Sequence, residues 1–168
     1  MIFHFLRVLT IIGKKNSRTL LQRIEGKLVE ITEGTTKILV PEKSLEEKVP
    51  PKEPAFFNPV AKLNRDFSIL AYSAFWENFD KPKMFLDGLA GLGARSLRVA
   101  NEIPGVEMAV ANDVNSEGLN IALDSMKLNK ITNFETSENE ICRFFGSYSK
   151  KGKRGSIVDV DQIGRAHV

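Results

Sequence analysis

The turn Asp87-Gly88-Leu89-Ala90-Gly91-Leu92-Gly93 leaves the chain few ways to fold. It follows Met84-Phe85-Leu86, a short apolar run of the kind a buried parallel strand shows, and it opens a stretch of helical character, Ala94–Glu102. Ile103-Pro104-Gly105 stops that helix, and residues 106–111 read as a second strand that ends at Asn112-Asp113. Three glycines and no β-branched residue let the turn adopt positive φ and approach a ligand closely. Asp113 follows Gly93 by about 20 residues, the spacing at which an acid meets a ribose hydroxyl pair in dinucleotide-type folds.

In an open α/β sheet, ligands bind beyond the carboxyl ends of the strands, where Asp87, Gly91 and Gly93 are expected. A carboxylate this close to the turn would repel a pyrophosphate. It suits an ammonium or a bound water, as in the methionine part of S-adenosylmethionine. A dinucleotide fingerprint reads Gly-x-Gly-x-x-Gly, whereas the order here is Gly88-x-x-Gly91-x-Gly93. The bland alternative is a tight strand–helix turn with no ligand. Asp113 reads as a ribose ligand or a helix cap. Glu138, after a third strand, is placed to meet an adenine amino group, or else is solvated or caps a helix. Arg65, in Asn64-Arg65-Asp66, and Arg95 can each grip a carboxylate bidentately, or they are surface arginines. Asp161 closes a fourth strand, where a carboxylate can orient an exocyclic amine and take its proton; a structural strand-end aspartate is the alternative.

The rest of the chain frames that unit. Residues 27–32 and 36–40 are rich in strand formers around Glu33-Gly34 and read as a hairpin. Residues 42–54 are polar and proline-containing, a loop. A helix to about residue 78 carries Phe67, Leu70, Ala71 and Ala74 on one face. After Asp113, Asn115 or Ser116 caps a helix whose apolar face is Leu119, Ala122, Leu123 and Met126. Residues 131–134 form a weak strand, residues 139–145 a short helix, residues 147–155 a basic loop and residues 156–161 the fourth strand. The β-α-β-α-β-α-β order predicts an α/β, doubly wound parallel sheet, Rossmann-like, preceded by a small hairpin. The run Lys150-Lys151-Gly152-Lys153-Arg154 resembles a phosphate site but precedes the fourth strand, so it lies at the sheet's amino edge as a solvated loop.

Composition closes off several function classes. The chain has 168 residues, 42% apolar and 27% charged, as in a globular domain with a real core. Its single cysteine, Cys142, cannot close an internal disulfide, and its two histidines, His4 and His167, sit at the ends. A zinc site or a histidine base is therefore not expected, and no metal is assigned. No apolar run is long enough to span a membrane. The net charge of +3 misleads: residues 1–26 hold five basic residues and one acid, and Arg165 adds one more cation, which leaves residues 27–161 at −2. Basicity is thus no argument for nucleic acid. Residues 1–26 read as an extension or mis-assigned start, compatible with a mitochondrial presequence. Residues 162–168 break the pattern. The run Ile163-Gly164-Arg165-Ala166-His167-Val168 translates part of a common sequencing adapter, so a non-native tail is expected after Asp161.

Several motifs occur together and in order: Glu30-Ile31-Thr32-Glu33-Gly34, Phe57-Asn58-Pro59, Asn64-Arg65-Asp66, the turn from Asp87 to Arg95, Ala111-Asn112-Asp113 and Asp159-Val160-Asp161. In this combination, residues 27–161 resemble the tRNA (guanine-N2)-dimethyltransferase family. The resemblance implies a class I methyltransferase domain that uses S-adenosylmethionine to methylate the N2 amine of guanine 26 in tRNA, once or twice. It implies Arg65 and Arg95 as cofactor-binding arginines, Asp113 as ribose ligand, Phe57 and Asn58 at the substrate, and Asp161 as the catalytic aspartate. One departure stands out: Gln162-Ile163-Gly164 replaces the family's Pro-Phe-Gly. The expectation is a C-terminally truncated cytoplasmic enzyme fragment, itself inactive or nearly so, with a mitochondrial or nuclear address left open. Two alternatives stand beside it: another S-adenosylmethionine methyltransferase acting on protein or a small molecule, and a non-enzymatic nucleotide-binding module.

Overall fold

The computed structural model describes residues 27–150 and 154–161. The expected extension, the middle of the basic run and the expected non-native tail lie outside the described residues. Strands β1 (Leu28–Glu33) and β2 (Thr36–Pro41) form an antiparallel hairpin in the register Leu28↔Pro41 to Glu33↔Thr36. Its two-residue turn places Gly34 at φ 56°, as so tight a reversal requires. Ile38 and Val40 are fully buried against Leu92, Ala94 and Ile121. The hairpin's free edge is also held. Leu39 N donates to Ser125 Oγ at 2.9 Å, and Asn129 exchanges two hydrogen bonds with the Lys37 backbone.

The segment read as a plain loop contains one short helix, α1 (Lys43–Glu46). A single 3-10 turn, Pro59–Ala61, then leads into α2 (Lys62–Trp76). The apolar face that the spacing picks out on α2 is not the one that packs. Phe67 and Leu70 are 63% and 65% exposed, while Arg65, Ile69 and Trp76 are buried. The helix is apolar on two sides, and periodicity does not say which side the sheet takes. The side chosen is the one where Tyr72 packs on Phe85 and Trp76 Nε1 reaches Ser156 Oγ at 3.1 Å.

The main sheet is parallel, in the order β5-β4-β3-β6. Its members are β3 (Lys83–Asp87), β4 (Val106–Asn112), β5 (Phe134–Ser137) and β6 (Ile157–Asp159). The helices α3 (Ala94–Glu102), α4 (Ser116–Leu128) and α5 (Ile141–Ser147) connect or follow them. Phe85, Leu97, Val99 and Ala109 are completely buried at the centre, each large side chain contributing about 1.5–3 kcal/mol. Asn115 caps α4 by accepting from Glu117 N and Gly118 N, as expected.

The start of β5 and the end of β6 differ from the sequence reading. β5 begins at Phe134 rather than at residue 131, because the Asn133 side chain bonds Val106 O at 2.8 Å and its carbonyl receives Ala109 N. Ile131 is buried, but before the strand. β6 stops at Asp159, so Asp161 lies two residues past the ladder. Among the described residues, no helix is long and apolar enough to cross a membrane.

Candidate functional site

The turn after β3 is pinned to both neighbouring strands. Gly88 N donates to Asp159 O at 2.9 Å on the β6 side, and Ala90 N donates to Asn112 O at 2.8 Å on the β4 side. Gly91 and Gly93 sit at φ 57° and 73°, the left-handed region that side chains resist. Asn112, almost fully buried, donates to Gly88 O and Asn139 O and accepts from Asn139 N, which ties the turn to the loop after β5. In the sequence it stands only at a strand end and within the Ala111-Asn112-Asp113 motif, with no role assigned.

Asp113 belongs to the turn as much as to β4. Its Oδ2 accepts from Gly91 N at 2.7 Å and its Oδ1 from Asn115 N at 2.9 Å. Both bonds fix the carboxylate beside the glycines, half-buried and with lone pairs to spare. Glu138 is exposed just past β5. The capping of α5 falls to Glu140, which accepts from Cys142 N and Arg143 N and is held below the usual carboxylate range by those bonds.

Asp87 forms the floor of the site. It is 4% exposed and accepts from Ser96 Oγ at 2.6 Å. Burial pushes its carboxyl up to about 7; the Ser96 hydrogen bond opposes the rise and the nearby Asp159 charge adds to it. Asp87 and Asp159 are register partners, so two carboxyls stand side by side at adjacent strand ends.

Arg95 answers that negative charge. Its Nη1 donates to Asp159 Oδ2 at 2.7 Å, and its Nη2 donates to Asp161 Oδ2 at 2.6 Å and Asn64 Oδ1 at 2.7 Å. Burial opposes the charge on the guanidinium, but the bonds to Asp161 and Asp159 outweigh it and raise its pKa. Its Nε is buried with no partner among the described residues. Tyr72 donates to the same Asp159 Oδ2 at 2.6 Å, and burial, then that bond, raises the phenol's pKa.

Arg65 does not reach this edge. Its Nε and Nη2 take Glu33 bidentately at 2.8 and 2.6 Å, and Nη2 also donates to Asn58 O. The carboxylate it grips is thus the hairpin's own. Phe57 is buried with its ring 4.8 Å below that guanidinium, and the Asn58 side chain accepts from Val60 N. Both residues, expected at the substrate, are occupied with local structure.

Arg98 was invisible to sequence reasoning. Its Nη1 donates to Asp66 Oδ1 at 2.6 Å, its Nε and Nη2 bind Glu102, and Glu33 Oε2 lies 3.6 Å away. The Arg98 bond lowers the Asp66 pKa against a smaller desolvation cost. Its sequence signal, Glu102 four residues on, reads as an ordinary surface pair. Asn64, Arg65 and Asp66 therefore bind three different partners, Arg95, Glu33 and Arg98, and so join the strand-end site to the hairpin. Among the described residues no group of three or more His, Cys, Asp or Glu side chains is arranged to hold a metal.

The model of the family described as N2,N2-dimethylguanosine tRNA methyltransferase matches residues 34–167. The chain belongs to this family. A tRNA (guanine(26)-N(2))-dimethyltransferase from Methanosphaera stadtmanae is 37% identical over 134 residues, which cover 80% of this chain and 33% of the relative. One from Sulfolobus acidocaldarius is 39% identical over 108 residues, covering 62% and 27%. The chain thus spans about a third of the length of the curated relatives it matches. An S-adenosylmethionine-dependent methyltransferase from Agrobacterium tumefaciens aligns at TM-score 0.58 and 15% identity, covering 79% of this chain and 39% of that one. That likeness shows the fold, a parallel α/β sheet of Rossmann type. Trm1 from Pyrococcus horikoshii, solved with S-adenosyl-L-methionine, aligns at TM-score 0.49 and 31% identity over 61% of this chain and 24% of that one.

Proposed function

We propose that this chain carries the cofactor side, and the amine-binding carboxylate, of a tRNA guanine-N2 methyltransferase acting at guanine 26. The observation that carries the reading is Asp161, held by Arg95 at the same sheet edge as the glycine turn and the anchored Asp113. The residues fit S-adenosylmethionine. Gly91 and Gly93 bring backbone close without side chains in the way, Asp113 offers lone pairs to a ribose diol, and Arg95 keeps one buried donor free of partners among the described residues. Glu138 is assigned to the adenine end, and Asp87 to the neutral-to-anionic floor beneath the methionine end.

S-Adenosylmethionine, when bound, supplies an electrophilic methyl group. The chain's part is to place the acceptor. Asp161 accepts a hydrogen bond from the guanine N2 amine, aims its lone pair and takes the proton the amine loses on methylation. Arg95 keeps that carboxylate where it is needed, and positioning supplies much of the rate. Arg65, Phe57 and Asn58 act from behind, by seating the segment before α2 against the hairpin.

The test is calorimetry with S-adenosylhomocysteine and with NAD. The homologue is expected to bind at one site, and Asp113→Ala to weaken it at least about tenfold, the loss of a charged hydrogen-bond acceptor. Binding of NAD alone would sink the methyltransferase reading. Where the protein forms dimethylguanosine on unmodified tRNA, Asp161→Asn is expected to slow it by roughly 10²–10⁴-fold.

A further inference from the structure

We propose that Tyr72 and Asp159 are positioning residues that set the carboxylate of Asp161 through Arg95; this rests on the reading of Asp161 as the amine-binding group. Asp161 lies past the end of the β6 ladder, and its side chain is 42% exposed. A carboxylate on such a segment has no backbone register to hold it. Its partner among the described residues is Arg95, a long side chain with four rotatable bonds, which orients another group only if it is itself held.

The holding groups are on the opposite side of the guanidinium. Asp159, 8% exposed, takes Nη1 of Arg95 on Oδ2 at 2.7 Å. The same oxygen accepts the Tyr72 hydroxyl at 2.6 Å. Tyr72 is rigid because its ring packs on the fully buried ring of Phe85, with centroids 5.3 Å apart. The order of restraint therefore runs outward from the core: Phe85 ring, Tyr72 hydroxyl, Asp159, Arg95, Asp161. Asn64 on Nη2 restrains the guanidinium from a third direction. The charges are consistent with this order. One cation sits between two carboxylates, and the third carboxyl, Asp87, is buried on Ser96 rather than on Arg95. The hydroxyl of Tyr72 is engaged by Asp159, so its effect on Asp161 passes through Asp159 and Arg95.

The experiment labels the aspartate carboxyl carbons with carbon-13 and assigns Asp161 by its loss in Asp161→Asn. Spectra of the wild-type protein are compared with Tyr72→Phe and Asp159→Asn, alongside thermal melting and calorimetry with S-adenosylhomocysteine. The proposal expects the Asp161 resonance to move and broaden in both variants. In Tyr72→Phe, which keeps the ring and the fold, cofactor-homologue affinity should stay within about threefold, because Asn64 still holds Arg95. Where the protein methylates tRNA, Tyr72→Phe should lower kcat about tenfold with KM for tRNA within about twofold, a split that loss of stability alone does not produce. An Asp161 resonance unchanged in Tyr72→Phe would overturn the proposal, even if Asp159→Asn fails to fold. Failure of the wild-type protein to bind S-adenosylhomocysteine would count instead against the functional reading, and the carboxyl spectra would still decide the relay.

Discussion

Two ionic clusters flank α2, and they differ in one respect that separates architecture from chemistry. Under the hairpin, Glu33, Arg65, Arg98 and Glu102 are nearly sealed from water, with Asp66 at the margin. Each cation there faces carboxylates that belong to the same packed layer, and Thr36 Oγ1 completes Glu102 at 2.7 Å. At the sheet edge, Arg95 and Asp159 are sealed to the same degree, yet the cluster ends on Asp161, which opens to solvent, and leaves Arg95 Nε with no partner among the described residues. A closed set of charges has its donors and acceptors engaged within the fold. An open one has capacity left for something that arrives. The same three-residue motif, Asn64-Arg65-Asp66, feeds both.

Breaking the closed cluster should cost most in stability. Glu33→Ala leaves Arg65 and Arg98 facing each other in a buried site, and urea denaturation should show a loss of about 3–5 kcal/mol. Glu33→Ala should leave the geometry of the glycine turn, which it does not touch, unchanged in the protein that remains folded.

The next effect depends on pH and belongs to the open edge. Asp87 has a folded pKa of about 7, above its unfolded value of 3.8. The native state therefore holds this proton more tightly than the unfolded chain does. Stability from this group is fully present below pH 3.8 and falls as pH rises from there to about 7, by at most roughly 4 kcal/mol. Asp87→Asn should remove that slope, measured as urea stability between those limits. An unchanged slope would mean that Asp87 is not the buried acid described above.

Arg95→Gln should cost less, about 1–3 kcal/mol, because Tyr72 still satisfies Asp159 while Asp161 turns to water. Thermal melting checks the stability, and the same variant should weaken S-adenosylhomocysteine more than Glu33→Gln does. Tyr72→Phe should cost least, about 1 kcal/mol for one hydrogen bond.

Parts of this contrast were legible from residue order alone. The unit from β3 through the turn and α3 to β4 could be read because its glycines, its helix stop and its apolar runs agree with one another at every level. The hairpin was legible from Glu33-Gly34 and its flanking strand formers. The face of α2 was not, because Phe67 and Leu70 offer a stripe as apolar as the one that packs. The start of β5 was displaced by a side chain, Asn133, that substitutes for ladder contacts with Val106. The pairings of Arg65 and Arg98 escaped for a different reason. Their partners, Glu33 and Asp66, lie 32 residues away in each case, and nothing local in a sequence reports a pairing of that span. Asp113 and Asp161 could be placed at one edge because strand ends in a parallel sheet converge there. What convergence could not reveal was that Arg95 would bridge two of those ends.

Hydrogen–deuterium exchange with and without S-adenosylhomocysteine puts the distinction between the clusters to its most direct test. The account predicts new protection at the turn and its neighbours, residues 88–95 and 111–118, with the hairpin turn at Gly34 and the start of α2 unchanged. Protection that appears at the hairpin cluster instead, or none at the glycine turn, would contradict it.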